Sequence, residues 1–171
     1  MHRASARPDW SCIRNGWRCP QSRDLWGSRA AGSRWSESPP QGMGRRVLSR
    51  PYAHAGSISK DLGLPFVLAR KPGKLPNESY SKEFDLEYGR TSIEIQKNTS
   101  ISSKDRVVII DDLVATGGTA IACAELLTEN FGVLNENILV LAVIDLPDLG
   151  GSKLITDQGY SLETLVGYSD S

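Results

Sequence analysis

Histidine occurs twice, and cysteine and phenylalanine three times each, in 171 residues. Each scarcity narrows what the chain can be. Cys12, Cys19 and Cys123 are too few for a disulfide framework. Cys12 and Cys19 stand either side of six residues, with no histidine-rich partner nearby, which is not the spacing of a zinc site. Cys123 falls within a helical pattern and is expected to pack as a small hydrophobe. No apolar run approaches the roughly 18 residues that a membrane span needs. Nothing near the N-terminus has the apolar centre of a secretory signal. The expectation is a cytoplasmic protein with no membrane partner.

Lysine and phenylalanine are both missing from residues 1–57. That stretch carries ten arginines and three acidic residues, a net charge of +7. Residues 58–171 carry seven lysines, three arginines and 17 acidic residues, a net charge of −7. Ile13, Leu25, Val47 and Leu48 are the only Ile, Leu or Val residues before residue 58, whereas Trp10, Trp17, Trp26 and Trp35 are all the tryptophans of the chain. Neither a 3.6-residue nor a two-residue period is present there. Such a composition buries too little aliphatic surface to offset its ordering entropy. Residues 1–56 are therefore read as an atypical Arg/Ser/Trp-rich segment, disordered or mistranslated. Three origins compete: an organellar transit peptide, a basic arm for a polyanion, or a mis-joined reading frame. Tryptophan and arginine could stack on bases, but no nucleic-acid motif accompanies them, so nucleic acid is not an expected partner.

Residues 57–171 read as one domain of alternating strands and helices. Leu64–Ala69, Thr91–Lys97, Arg106–Ile110, Asn137–Ile144 and Leu162–Val166 are predicted strands. Gly118–Asn130 and Leu149–Gln158 are predicted helices, the second closed by Gly159. The continuous β-branched run RVVII (Arg106–Ile110) suits a central parallel strand covered on both faces. Alternation of this kind implies an α/β domain with a mainly parallel sheet.

In such sheets ligands bind at the carboxyl ends of the strands. Val107–Thr119 (VVIIDDLVATGGT) places a carboxylate pair and a Gly/Thr loop there, leading into a helix. Backbone N–H groups of Ala115, Thr116, Gly117, Gly118 and Thr119 are then available to an anion, aided by the helix dipole. The spacing is neither that of a Walker loop nor that of a dinucleotide fingerprint. Asp111 and Asp112 would repel an anion beside them, and make sense as partners for hydroxyls or a metal-complexed sugar. The plainer alternative is an ordinary strand-to-helix turn with solvated acids.

Val107–Thr119 resembles the phosphoribosyl pyrophosphate (PRPP) motif of type I phosphoribosyltransferases. ARKPGKLP (Ala69–Pro76), FDLEYG (Phe84–Gly89), IEIQ (Ile93–Gln96) and LPDLGG (Leu146–Gly151) narrow the resemblance to the adenine-specific branch. It runs from about Ser57 to the C-terminus. The resemblance implies a type I fold, the reaction of adenine with PRPP to give AMP and pyrophosphate, and a homodimer. It implies Mg2+ held mainly by PRPP and water, with Asp111 and Asp112 as possible aids. Ala115–Thr119 would hold the 5′-phosphate, and Asp111 and Asp112 the ribose hydroxyls. Arg70, Lys71 and Lys74 would face the pyrophosphate. Glu87 and Tyr88 would belong to a closing loop, with Glu87 as acid/base near the purine. Competing expectations are a non-catalytic PRPP- or nucleotide-binding regulator, an inactive remnant, or transfer to another base.

One departure stands out. The family places a strand and a Gly-x-x-x-Arg-Gly-Phe turn before the helix matching Ser57–Gly63, and Arg46–Phe66 carries no such turn. The expectation that follows is a sheet lacking a central strand, its neighbours open to water.

Overall fold

The computed structural model describes residues 45–49, 52–86 and 89–169. The stretch before Arg45, with all four tryptophans, Cys12 and Cys19, lies outside the described residues, and so do Glu87 and Tyr88.

Seven strands make one sheet: β1 (Arg45–Ser49), β2 (Phe66–Arg70), β3 (Ser79–Leu86), β4 (Gly89–Gln96), β5 (Arg106–Val114), β6 (Ile138–Asp145) and β7 (Ser161–Gly167). Helix α1 (Tyr52–Leu62) connects β1 to β2, α2 (Gly118–Phe131) connects β5 to β6, and α3 (Gly151–Asp157) connects β6 to β7. The strand order is β3-β4-β2-β1-β5-β6-β7. Pairing is parallel from β2 through β7, and antiparallel where β4 joins β2 and β3. The expected type I, mainly parallel α/β architecture is what forms. No helix among the described residues is long and apolar enough to cross a membrane.

The hydrophobic sequence explains the layering. Val67, Leu48, Ile109, Val140 and Leu162 are register partners in a row across five strands. Val67, Leu48, Ile109 and Val140 belong to one core cluster with Ala120, Cys123, Ala124 and Leu127 of α2, and Leu162 packs against it. Small residues on α2 let the helix lie close to the branched side chains of the sheet. Cys123 is buried there, as its place in the pattern predicts.

The expectation of an empty centre is overturned. β1 fills that place, paired in parallel with β2 on one side and β5 on the other. Its Val47 and Leu48 are buried. RRVLS escapes a reading by period because only two apolar residues stand among arginines. Pairing with β5 along its length and with β2 from Val47 to Ser49 supplies what the local pattern lacks. Arg46 is also satisfied: its guanidinium donates to the buried Asp105 carboxylate and, at 2.7 Å, to Ser100 Oγ. The Ser102 N–H donates to the same carboxylate at 2.8 Å. Helix α1 runs through the 56/57 position where the domain boundary was expected.

β3 was likewise not foreseen. SYSKEFDL puts a lysine between two aromatics; it pairs with β4 along its length and packs its side chains on α2. The Tyr80 and Phe131 rings meet edge-on with centroids 5.5 Å apart. Lys82 Nζ lies 2.6 Å from a Glu129 oxygen and 3.1 Å from a Glu125 oxygen. Hydrogen bonds to Glu129 and then Glu125 raise the Lys82 ammonium above its ordinary pKa. A raised folded pKa favours folding below the ordinary lysine range and loses that effect as pH climbs through it, so this clasp persists at neutral pH.

If β1 is a central strand, Leu48→Ala should destabilise the protein by about 2–5 kcal/mol, the usual cost of emptying a buried leucine site. Urea unfolding monitored by circular dichroism measures this. An unchanged midpoint would mean that Arg45–Ser49 is not part of the sheet.

Candidate functional site

β2, β1, β5 and β6 are parallel, so their carboxyl ends share one edge of the sheet. Ser49 of β1 is the register partner of both Leu68 and Ile110. Arg70 and Asp112 each come two residues later, so both stand at that edge on the same face. The hairpin β3–β4 reaches the same edge, because Arg70 pairs with Glu94 and β4 runs back from Gly89. Leu86 and Gly89 pair at the end of that hairpin, on either side of Glu87 and Tyr88.

The two acids of β5 have different surroundings because consecutive strand residues face opposite ways. Asp111 points to the α2 side, is 7% exposed, and accepts a hydrogen bond from the Asp112 N–H at 3.0 Å. Asp112 points to the other face and is exposed. Asp112 is thus open to a ligand at the sheet edge, whereas Asp111 is buried. Its carboxylate serves first to fix the local backbone.

Beyond Val114 the chain turns through Ala115, Thr116 and Gly117 into α2. Gly117 is the N-cap of the helix at φ 80°, a left-handed conformation that glycine adopts without strain, and no side chain caps the helix there. The first N–H groups of α2 have no partner within the helix. They coincide with the positive end of a 14-residue dipole. An anion is the complement of that arrangement. Thr116 and Thr119, both half-buried, bring hydroxyls to the same turn.

Gly118 serves a purpose that the sequence did not reveal. A Cβ there would meet the Phe84 ring at 3.2 Å and the Asp85 carbonyl at 3.3 Å. The glycine thus lets the hairpin settle on the start of α2, which is a different role from admitting a ligand.

Arg70 ends β2 half-buried, while Lys71 and Lys74 are exposed on the following loop. The Gly73 N–H donates to a Glu94 carboxylate oxygen at 3.1 Å and ties that loop to β4. Arg70, as the last residue of β2, stands at the edge that carries Asp112, and Lys71 and Lys74 follow on the loop leaving it. A second loop also touches the anion turn. The Leu146 N–H donates to the Val114 carbonyl at 2.9 Å, and the Gly151 N–H to the Ala115 carbonyl at 3.0 Å. Glu94 and this second loop were missed by sequence reasoning. The paired glycines of LPDLGG were the only signal of a close approach.

Among the described residues no three His, Cys, Asp or Glu side chains converge as a metal cage. The exposed Asp112 carboxylate can offer one ligand at the mouth. That suits Mg2+, which keeps several waters and takes its remaining ligands from a phosphate-bearing substrate.

The family described as Phosphoribosyl transferase domain matches residues 47–147. The chain is 42% identical over 122 residues to adenine phosphoribosyltransferase of Chlorobium limicola, covering 71% of this chain and 67% of that protein. It is similar to the crystal structure of the Giardia lamblia enzyme complexed with 9-deazaadenine, with a TM-score of 0.66 and 32% identity over 75% of this chain and 71% of that one. It is also similar to adenine phosphoribosyltransferase of Saccharomyces cerevisiae, complexed with an imino-altritol bisphosphate and adenine. There the TM-score is 0.60 and the identity 29%, over 72% of this chain and 68% of the other.

The unequal burial of the two acids predicts unequal consequences. Asp112→Asn should leave thermal unfolding nearly unchanged, as exposed substitutions do. It should weaken binding of a sugar phosphate by about tenfold or more, the worth of one charge-assisted hydrogen bond. Asp111→Asn should lower the melting temperature. Calorimetric melting and titration with ribose 5-phosphate separate the two effects. A melting loss as large for Asp112→Asn as for Asp111→Asn would make Asp112 a structural acid.

Proposed function

This chain belongs to the phosphoribosyltransferase family, and from that premise we propose that it transfers the phosphoribosyl group of PRPP to adenine, yielding AMP and pyrophosphate in purine salvage. One observation carries the reading. An N-terminal helix turn without a side-chain cap, an exposed carboxylate and the Arg70 cation are held on one edge of a parallel sheet. A molecule bearing a phosphate, ribose hydroxyls and a pyrophosphate presents complementary groups in that order.

In this reading the N–H groups of Ala115–Thr119, with the hydroxyls of Thr116 and Thr119, bind the 5′-phosphate. Asp112 accepts hydrogen bonds from the ribose hydroxyls, with Asp111 behind it. As the C1′–O bond to pyrophosphate breaks, positive charge grows on the sugar, and the two carboxylates oppose that charge from fixed positions. Arg70, Lys71 and Lys74 bind the departing pyrophosphate. Adenine attacks C1′ and loses a proton, for which Glu87 is the proposed acceptor at the hairpin end. Tyr88 and the hairpin cover the sugar and exclude water. Asp112 could offer one ligand to a Mg2+ carried in with PRPP, which when bound would supply further neutralisation of the leaving group.

The relatives are named for the same reaction, and Giardia and yeast structures hold 9-deazaadenine and adenine respectively. Those names support adenine as the base. We further propose a cytoplasmic homodimer in which Lys71 and Lys74 reach a neighbouring site. The rival readings, a regulator and a remnant, drew weight from the absent front of the domain; β1 occupies the central strand position of that front, and the relatives favour the transferase.

The test is turnover by the full chain with PRPP, Mg2+ and one base at a time. AMP and pyrophosphate should appear with adenine, and little product with hypoxanthine, guanine or orotate. Preference for another base would overturn the adenine assignment. Tight AMP binding without turnover would favour the regulator.

A further inference from the structure

The turn after β6, Leu146–Gly151, is built against the anion turn and has no assigned role. Its contacts with that turn are backbone to backbone. A Cβ on Gly151 would stand 2.2 Å from the Ala115 carbonyl oxygen, 2.6 Å from the Gly117 nitrogen and 2.7 Å from the Thr116 carbonyl carbon. A Cβ on Gly117 would in turn stand 3.0 Å from the Gly151 carbonyl oxygen. No side chain fits between these segments without moving one of them.

The turn is also rigid. Pro147 fixes one φ. The Leu149 N–H donates to the Leu146 carbonyl at 3.1 Å, and the Gly150 N–H to the Pro147 carbonyl at 2.9 Å. Gly150 takes φ 76°. The ends are joined, because Ser152 Oγ donates to the buried Asp145 carboxylate. Together with the bonds from Leu146 and Gly151 to the Val114 and Ala115 carbonyls, this fixes the carbonyl side of the anion turn. Peptide planes are flat. Fixing the Val114 and Ala115 carbonyls therefore also fixes the N–H groups of Ala115 and Thr116 across the same planes.

We propose that Leu146–Gly151 is the mould of the 5′-phosphate site. Gly151 is its contact surface, and the Asp145–Ser152 hydrogen bond is its lock. Gly151 and Ser152 are positioning residues: neither touches the phosphate, and both act through the peptide planes of Val114–Gly117. The donors are oriented before the anion arrives, so binding does not spend ordering entropy on them. The inference rests on the phosphoribosyltransferase reading and assigns the device that orients its phosphate site.

The test uses the full chain and two probes, ribose 5-phosphate and adenine. Gly151→Ala should weaken ribose 5-phosphate by about tenfold or more, because displaced N–H groups lose charge-assisted bonds, and should leave adenine binding within about twofold. Ser152→Ala should weaken ribose 5-phosphate by about fivefold, the worth of one ordinary hydrogen bond. Ser152→Thr, which keeps the hydroxyl, should restore most of that. The serine pair carries the test if Gly151→Ala does not fold. Wild-type affinity for ribose 5-phosphate in Gly151→Ala would overturn the mould and leave the functional reading intact. Equal loss for both probes would also overturn it, since general loosening affects both alike. Failure of the wild type to bind ribose 5-phosphate would remove both the mould and the reading.

Discussion

Everything at the site hangs from β5. It is held between β1 and β6 and its first six residues are buried, so neither its register nor its direction is free. A slip of one residue would exchange Asp111 with Asp112 across the faces and turn Ile109 out of the core. The hydrophobic row through Ile109 forbids that slip. The same burial that stabilises the sheet therefore decides which carboxylate looks outward.

From that fixed strand the site is assembled by backbone proximity. Three segments meet where α2 begins: the turn after β5, the turn after β6 and the β3–β4 hairpin. Each meeting point has a glycine, at 117, 118 or 151: a Cβ at 151 would overlap the Ala115 carbonyl, and one at 117 or 118 would be tightly crowded. The hairpin is held by edge-on rings and the lysine clasp along α2, and its Phe84 and Asp85 lie against Gly118 at the start of that helix. The fold and the geometry of the site are thus one problem: the packing of α2 on the sheet sets both.

How far the sequence could be read followed from the kind of signal. The runs RVVII and NILVLAVI declared buried strands, and both lie inside the sheet. The carboxylate pair, the Gly/Thr turn and the alternation of elements pointed to a candidate anion turn, and the structure places that turn at the carboxyl edge of the sheet. β1 and β3 were not legible for physical reasons. RRVLS owes its place to two neighbouring strands and a buried ion pair with Asp105, none of which is local. SYSKEFDL owes its place to pairing with β4 and to a helix some forty residues away. A period of two or of 3.6 reports only burial that a segment imposes on itself.

The sequence by itself determined the family, the class of fold, the anion turn and the residues that could meet a ribose and its phosphates. Those features are local strings, and local strings fix hydrogen-bonding capacity, charge and backbone freedom. Only the tertiary structure decided that Asp111 is buried and Asp112 exposed, that Gly118 accommodates a hairpin, and that Gly151 backs the turn leading into α2. Exposure and close approach are relations between segments distant in the chain. They come into being only when the sheet closes around β5 and brings those segments within contact distance.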